Sequence, residues 1–418
     1  MTESQGSNSN RIIFVSQLYD PEPTVKGSHF VGALQQSGFE VEALTGFPNY
    51  PGGLVYPGYK LRPITREIIN GTNVTRVFIY PSHDKNAVKR LFCYLSFFLS
   101  SLIYLTFKAK KAKLIYVSYP SLTTGLAAVG AKFFRRTPVV LDIQDMWPDS
   151  LAATGMVTNR HFIRFVGWLC QFLYRRADHI IVQSEGFRRL LIDRGVPSEK
   201  VSVILNWADE SQVKPLPEMA HGYNPNDNFK VLFAGNMGTA QGLETVIDAA
   251  GLLSKSEKKI TFYFLGSGVA LESLKAKAED LKLENVRFLP RVGLDEVQNY
   301  LAGADCLLVH LNSSPLFKIT IPSKTQAYLY AGKPIVMAMD GDAAELVLKA
   351  GAGVVCSPGN PEKLADTISE VFHLSPQRRS DMGKAGRRFY DRELTLKNYM
   401  QVLVRIIGPI VGASHPTK

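Results

Sequence analysis

The sequence predicts an α/β protein in which two parallel-sheet domains of about 200 residues each face one another across a cleft. The chain has 418 residues, 45% of them hydrophobic, which is enough for two domains with their own cores. Short apolar strands alternate with helical segments from residue 11 onward. A polar stretch with three prolines and no periodicity at 210–228 interrupts this alternation and predicts a linker.

The first domain is predicted over 11–209, with strands recognised as apolar runs and helices by their apolar periodicity. The predicted strands are 11–17, 41–46, 74–80, 112–120, 138–145, 178–184 and 200–206. The predicted helices are 28–38, 86–108, 123–134, 160–176 and 185–197. A loop rich in Pro, Gly and Tyr at 47–60 follows the second strand.

The second domain, predicted over 229–395, repeats the alternation. Its predicted strands are 230–235, 259–266, 286–292, 306–311, 334–339 and 352–357, with helices such as 242–255 and 271–282 between them. We expect residues 396–418 to form a helix that packs back on the first domain. Residues 1–10 are polar, without the basic and apolar regions of a signal peptide, and predict a disordered tail on a protein that stays inside the cell.

The cysteine spacing and the net charge limit the classes of function that this chain could have. The four cysteines show no CxxC or Cys/His spacing, so we expect neither disulfides nor a zinc site, and a reducing cytoplasm fits best. We expect His29 and His83 to be surface groups, because nothing in the sequence marks them as a metal-binding pair. A net charge of +11 favours an anionic partner. No nucleic-acid-binding signature accompanies this charge, so nucleic acid is the poorer interpretation.

A glycine-rich turn follows the first strand of the second domain. It contains Gly235, Asn236, Gly238 and Gln241 and leads into a helix, so its N–H groups and the helix dipole could hold a phosphate. The alternative is that a tight strand-to-helix turn needs glycine for its backbone conformation alone.

A second phosphate signal lies at 320–324, where Ser323 is predicted as the N-cap of a helix and Lys324 lies in its first turn. A cation at a helix N-terminus opposes the helix dipole. This conflict favours a function for Lys324, the neutralisation of a bound anion.

Several segments together resemble one protein family, the bacterial family 4 glycosyltransferases of the GT-B fold. The resemblance is greatest to the branch that builds O-antigen, capsule and colanic-acid-type polysaccharides. It implies a nucleotide-sugar donor, UDP-linked and carrying an N-acetylated hexose or deoxyhexose, held mainly by the second domain. It also implies an acceptor held by the first domain, retention at the anomeric carbon and no metal ion. The segments that carry it are TGFPNYPGGLVYPGYK, VVLDIQDMWPDS, FAGNMGTAQGLETVIDAA, SKTQAYLYAGKPIV and GDAAELVLKAGAGVV.

The chain departs from the wider family at the donor site. Many members carry Arg and Lys where this chain has the neutral residues Asn236 and Gln241, and paired glutamates where it has Ile319 and Ala327. We interpret this as a subfamily variation in which Lys318 or Lys324 and the helix N-terminus bind the diphosphate. A degenerate, inactive site is the alternative.

Further donor contacts follow from the resemblance alone. It places the nucleotide base near Gly266 and Arg291, which lie where two strands end. It also places Glu345 near the donor sugar.

The catalytic carboxylate is expected in the first domain. Asp145 follows a buried strand and so lies at a carboxyl end, where it could stabilise an oxocarbenium-like transition state or accept a hydrogen bond from the attacking hydroxyl. Its alternative role is a helix cap. Glu22, in the loop after the first strand, is the other candidate, or a solvated loop carboxylate. Aromatic residues of the loop 49–59 could stack on an acceptor sugar or form a packed lid.

The excess cations flank apolar segments of the first domain. Seven Lys and Arg residues between 85 and 113 surround the apolar run 91–107, and four arginines border the aromatic residues of 160–176. Cations and aromatic residues on one helix indicate an interfacial helix attracted to anionic lipid. The alternative is a solvated face of an ordinary core helix.

The sequence therefore predicts a glycosyltransferase, peripheral on the cytoplasmic face of the inner membrane, that acts on a lipid-diphosphate-linked saccharide. The alternatives are a nucleotide-sugar epimerase of the same fold and a catalytically silent scaffold of a polysaccharide assembly complex.

Overall fold

A computed structural model describes most of the chain. The described residues are 10–82, 87–119, 121–153, 157, 159–208, 210, 223–224 and 229–412. Most of the predicted tail and of the predicted linker lies outside them.

The first domain is built on a twisted sheet whose strands have the order β3-β4-β2-β1-β5-β6-β7-β8. The strands are β1 (Arg11–Val15), β2 (Glu40–Gly46), β3 (Ile64–Ile69), β4 (Thr72–Val77), β5 (Leu114–Tyr119), β6 (Val139–Ile143), β7 (His179–Val182) and β8 (Val201–Val203). The helices are α1 (Ser28–Gln36), α2 (Ala87–Ile103), α3 (Leu122–Arg135), α4 (Asp149–Ala153), α5 (Arg160–Arg176) and α6 (Glu185–Asp193). A π-helical turn, Tyr104–Lys108, extends α2, and a 3₁₀ turn, Ser198–Lys200, precedes β8.

One strand departs from the sequence prediction. β3, within a stretch to which no element was assigned, pairs antiparallel with β4 at the sheet edge, so this sheet is mixed rather than wholly parallel. Its residues alternate between exposed and half-buried along Ile64–Ile69. An edge strand with little burial lacks the apolar run by which the other strands were recognised.

The second sheet is parallel throughout, with the order β11-β10-β9-β12-β13-β14. The strands are β9 (Phe229–Asn236), β10 (Ile260–Ser267), β11 (Val286–Leu289), β12 (Cys306–His310), β13 (Ile335–Ala338) and β14 (Gly353–Cys356). The helices are α7 (Leu243–Ser256), α8 (Leu271–Asp280), α9 (Leu294–Gly303), α10 (Pro315–Lys318), α11 (Ser323–Ala331), α12 (Asp342–Lys349), α13 (Pro361–His373), α14 (Pro376–Glu393) and α15 (Leu396–Val411), with a 3₁₀ turn at Thr239–Gln241.

Different helices pack on the two faces of the first sheet. Alternate strand residues point to opposite faces. Ile13 and Val15 pack with side chains of α2, α3 and α5, whereas Ile12 and Phe14 pack with side chains of α1 and α15. The C-terminal helix α15 therefore leaves the second domain and covers the first, on the face opposite α2, α3 and α5.

The domains also meet directly where α6 faces α10 and α12. The Ser184 hydroxyl donates to the Ile319 carbonyl at 2.5 Å, and the Gly186 N–H donates to Asp342 at 2.6 Å. A Cβ at Gly186 would lie 2.3 Å from the Ile319 Cβ, so this contact requires glycine. Ile319, which stands at one of the family's glutamate positions, is thus used for contact with the first domain.

Candidate active site

A cleft of about 2120 Å³ lies between the two domains. Its walls come from segments that follow the carboxyl ends of parallel strands, the usual ligand position in open α/β sheets. The first domain contributes the loop after β1, α1 and Tyr50, and the second contributes the turns after β9 and β10, the start of α11 and one face of α15. Eight of the residues predicted for the site line this cleft: Glu22, Gly235, Asn236, Gln241, Gly266, Arg291, Ser323 and Lys324.

The glycine-rich turn is tightly constrained by its neighbours. Gly235 and Gly266 have φ values of 135° and 138°, and a Cβ on Gly266 would lie 2.1 Å from the Gly235 carbonyl oxygen. Glycine is therefore required for backbone conformation and close approach. Both glycines also line the cleft, so the conformational requirement and a contact with a ligand are compatible.

His310 and Asn312, which sequence reasoning missed, support this turn from β12. His310 Nδ1 lies 2.7 Å from the Gln241 carbonyl oxygen, and the Asn312 N–H donates to the Ala240 carbonyl at 2.9 Å. Burial lowers the pKa of His310, which favours the neutral ring with a single N–H. The only sequence signal for His310 is its position at the end of a buried strand.

Lys324 lies directly beneath this turn. Although the residue is half-buried as a whole, its Nζ atom is inaccessible to solvent and has no hydrogen-bond partner in the described part of the chain. Nζ is 3.6 Å from the centroid of the Phe233 ring, and a Cβ on Gly235 would lie 3.4 Å from it. Burial lowers the pKa of Lys324 to about 7. An amine kept without a counter-ion at the edge of a cleft is suited to an anionic ligand.

The start of α11 differs slightly from the prediction. Pro322 is the N-cap and Ser323 is the first helical residue, so Ser323 does not cap the helix. Both Ser323 and Lys324 still lie in the first turn, at the positive end of the helix dipole.

Glu22 lies at the first-domain side of the cleft, 3% exposed. Its Oε1 accepts hydrogen bonds from the backbone N–H groups of Asn49 and Tyr50, both at 2.8 Å, and its Oε2 accepts one from Tyr19 at 3.3 Å. Burial raises the pKa of Glu22, and these N–H groups oppose that rise. Glu22 is therefore not the solvated loop carboxylate of the alternative interpretation, because it anchors the loop that contains Asn49 and Tyr50.

Four predicted residues do not line the cleft: Asp145, Gly238, Lys318 and Glu345. Burial raises the pKa of Asp145, and the neighbouring groups of Ser150, Trp147 and Met146 oppose that rise.

The other three have local reasons for their positions. Lys318 pairs with Asp340 at 3.6 Å, and Gly238 donates its N–H to the Gln241 side chain at 2.9 Å. Glu345 is exposed on α12. Contacts between these residues and the donor therefore stay predictions.

A buried ion pair that sequence reasoning missed lies behind the cleft. Lys26 and Asp142, 4% and 0% exposed, form a salt bridge. Asp142 also accepts hydrogen bonds from the hydroxyls of Tyr116 and, at 2.8 Å, Tyr399 of α15. The Lys26 ammonium lies over the Tyr399 ring, 4.7 Å from its centroid. The network joins the loop after β1, strand β6 and the C-terminal helix.

No group of three or more His, Cys, Asp or Glu side chains that could hold a metal ion occurs in the described part of the chain. The polar groups around the cleft suit an organic anion.

Comparisons with known proteins agree with this geometry. Residues 27–207 match the model of the glycosyl transferase 4-like domain, and residues 218–389 match that of glycosyl transferases group 1. WbjE of Pseudomonas aeruginosa, named as a glycosyltransferase, is 27% identical over 367 residues, covering 83% of this chain and 88% of WbjE. WcaI of Escherichia coli K12, named as a colanic acid biosynthesis glycosyl transferase, is 26% identical over 410 residues, covering 93% of this chain and 98% of WcaI.

A solved structure shares the fold. HepE (Alr3699) of Anabaena, solved with UDP-glucose, aligns with a TM-score of 0.67 and 17% identity over 96% of this chain and 99% of its own. The two family models together match most of both domains. The chain is a family 4 glycosyltransferase with the GT-B fold.

Proposed function

We propose that this enzyme is a retaining glycosyltransferase of cell-surface polysaccharide biosynthesis. It transfers an N-acetylated hexose or deoxyhexose from a UDP-linked donor to a lipid-diphosphate-linked saccharide. The observation that carries the donor side of this proposal is the unpaired Lys324 ammonium beneath the glycine-rich turn. The names of WbjE and WcaI support the glycosyltransferase activity, and that of WcaI supports the polysaccharide pathway. The UDP-glucose complex of HepE supports the choice of nucleotide.

The cleft offers a consistent set of donor contacts. Lys324 supplies the charge for the diphosphate, and the N–H groups of the turn at Gly235 supply neutral donors. Arg291, exposed at the edge of the cleft after β11, lies on the side where the family resemblance locates the base. Asn236 and Gln241 then act as neutral lining residues where other members have cations.

A panel of nucleotide sugars, assayed for UDP release with and without a lipid-linked acceptor, tests the proposed reaction. Acceptor-dependent UDP release is the expected result. An epimerase would convert one nucleotide sugar into another without acceptor, and a silent scaffold would release no UDP with any donor. Either result would contradict the proposal.

Glu22 and Asp145 can be compared directly as candidate acceptor-side carboxylates. We expect Glu22→Gln to lower turnover by about 100-fold or more while donor affinity is retained, because the amide keeps the shape but removes the charge that a hydroxyl partner needs. Oε2 of Glu22 accepts only one hydrogen bond from the protein and so has capacity for a substrate hydroxyl. The measurement is steady-state kinetics together with a donor titration.

Asp145→Asn is the matched variant for this comparison. Asp145 lies outside the cleft lining, so we expect a smaller loss of turnover than for Glu22→Gln. A large loss for Asp145→Asn with normal turnover for Glu22→Gln would return the catalytic role to Asp145.

We also propose that the outer surface of α2, α3 and α5, here called the lipid face, rests on an anionic membrane. Large apolar side chains on it are exposed, including Phe107 at 72%, Phe134 at 72% and Trp168 at 64%. Neither 87–141 nor 150–177 contains an Asp or Glu residue, so the segments that form this surface carry only basic charges. An exposed apolar surface whose own segments are basic matches an anionic lipid surface.

The structure favours contact in the plane of the membrane over a spanning helix. The helix Val88–Lys108 is long and apolar enough to cross a bilayer. However, Cys93, Phe97 and Ser101 on one side of it are buried at 3%, 0% and 0% exposure. Tyr104 at its end donates a hydrogen bond to Glu42 of β2. If this helix crossed the bilayer, its buried side chains would have to leave the core, and the hydrogen bond between Tyr104 and Glu42 would be lost.

Vesicle sedimentation tests the lipid face. Four lysines at the end of this helix should each contribute about 1 kcal/mol of attraction to anionic lipid, so replacing them by Gln should release the protein. Raised salt should act in the same way, because surface charges are screened within about 8–10 Å. The four lysines are Lys108, Lys110, Lys111 and Lys113.

A control variant removes four exposed lysines of the second domain and should still bind vesicles. Retention of the wild-type protein in membranes after an alkaline carbonate wash would show that the helix inserts. No sedimentation under any condition would show that the lipid face does not bind membranes. The control lysines are Lys255, Lys258, Lys259 and Lys275.

A further inference from the structure

The wall of the cleft formed by α15 carries a row of exposed polar side chains. Lys397, Gln401 and Arg405 recur every four residues and line the cleft, whereas Tyr399 and Leu403 on the other side of the helix are buried. The two cations are separated by about 12 Å along the helix axis. The helix α1, which packs beside α15 and also lines the cleft, contains no Lys, Arg, Asp or Glu.

The acidic side chains that line the cleft accept hydrogen bonds from other groups and form no ion pair with the cations of this row. Three acidic residues line the cleft. Asp20 accepts hydrogen bonds from the N–H and hydroxyl of Ser28, at 2.6 and 2.9 Å. Glu210 accepts one from the Tyr390 hydroxyl at 2.6 Å and one from the Leu396 N–H at 3.2 Å. Glu22 holds the loop after β2, as described above.

The cations that line the cleft, in contrast, are unpaired. Arg291, Lys324, Lys397 and Arg405 form no ion pair with a carboxylate of the described chain. Lys324 and Arg291 belong to the donor contacts proposed above. Lys397 and Arg405 have no role there, so the α15 wall carries two cations without an ion pair and without an assigned ligand.

The position of this row of side chains indicates that its ligand approaches from solution. α1 and α15 cover the face of the first sheet opposite the lipid face. A lipid-linked acceptor approaches from the membrane, whereas a nucleotide sugar approaches from the aqueous side. A cationic wall within a concave, low-dielectric cleft raises the local concentration of anions and their rate of association.

We propose that the nucleotide-sugar donor enters the cleft along the α1/α15 wall and that Lys397 and Arg405 draw its dianionic diphosphate toward Lys324. This inference rests on the proposed function, because it takes the donor to be a nucleoside diphosphate sugar. Because Lys397 and Arg405 are exposed, their electrostatic field acts on the ligand as it approaches. We therefore expect them to change the association rate of the donor. The bound donor rests on other residues, so its dissociation rate does not depend on this row.

Stopped-flow binding of a fluorescent UDP analogue, mant-UDP, tests the route with the full-length protein. The double variant Lys397→Gln/Arg405→Gln is expected to associate about 5- to 10-fold more slowly at low ionic strength, with an unchanged dissociation rate. The difference should nearly vanish at high salt, where the field is screened.

A matched control carries the same change of charge outside the cleft. Lys384 and Arg388 are exposed on α14, are also four residues apart and do not line the cleft. Lys384→Gln/Arg388→Gln is expected to change the association rate less than about twofold, because its charges lie outside the concave surface that focuses the field.

The outcomes separate this inference from the proposed function. Equal association rates for wild type and the Lys397/Arg405 variant would overturn the route, as would equal losses in the two double variants. A change confined to the dissociation rate would also overturn it, because the row would then be a contact of the bound ligand. No binding of mant-UDP by the wild type would contradict the UDP-linked donor and the route together.

Discussion

Replacing Lys324 by Met is expected to weaken donor binding by about 1.5–3 kcal/mol, or roughly 10- to 150-fold, because a charge-assisted hydrogen bond to the diphosphate is lost. The same change should raise thermal stability, since it replaces a buried amine that has no hydrogen-bond partner with an apolar side chain of similar length. A lysine with a purely structural role would show the opposite effect on stability. Isothermal titration with UDP-N-acetylglucosamine and thermal unfolding provide the two measurements.

The pH dependence gives a second test of Lys324. Burial lowers its pKa to about 7 in the free protein, and a bound dianion would raise it again. Donor binding therefore takes up a proton above pH 7, and affinity should fall by up to about tenfold per pH unit there, until the pKa of the complex is reached. For unfolding the sign is opposite: the folded state binds fewer protons between about 7 and 10.5, so the Lys324 contribution to stability becomes more favourable as pH rises through this window.

Lys324→Arg is the control for these experiments. An arginine remains charged throughout this range, so the variant should lose the pH dependence if it binds donor. Equal donor affinities for wild type and Lys324→Met would remove Lys324 from the site. A pH-independent wild type would contradict the proton uptake while leaving the diphosphate contact intact.

Lys26→Met is expected to lower the stability of the first domain by about 3–5 kcal/mol, because Asp142 would remain buried without its cation. Asp142 is 0% exposed, so water cannot replace the lost partner. Replacing both residues, in Lys26→Met/Asp142→Asn, should recover part of the loss, since no uncompensated charge is then buried. Urea unfolding of the two variants and the wild type measures these differences.

The exposed variant Lys384→Met is the matched control and should change stability by less than about 0.5 kcal/mol. A loss for Lys26→Met no greater than that of the control would show that the ion pair contributes little. A double variant as unstable as the single one would show that the lost contacts with the aromatic rings, rather than the buried charge, cause the effect.

The sequence by itself determined the fold class and many of the residues that line the cleft. The buried parallel strands at 12–15 and 231–234 are continuous apolar runs in the sequence. Such runs can be recognised without knowledge of the tertiary structure. Lys324 was recognisable from the sequence because a cation in the first turn of a helix opposes the helix dipole, and this pattern involves only neighbouring residues. The glycine-rich turn was recognisable because the residues that it requires are consecutive.

Tertiary structure alone decided which groups are paired, exposed or turned away from the cleft. Lys26, Asp142 and Tyr399 are separated by 116 and 257 residues along the chain, and no local pattern indicates that they share one buried network. The relative positions of Glu22 and Asp145 could not be predicted either, because both follow strands of the same sheet. The proposed donor route along α15 depends on which charged side chains form ion pairs, and such pairing between distant segments exists only once the chain has folded.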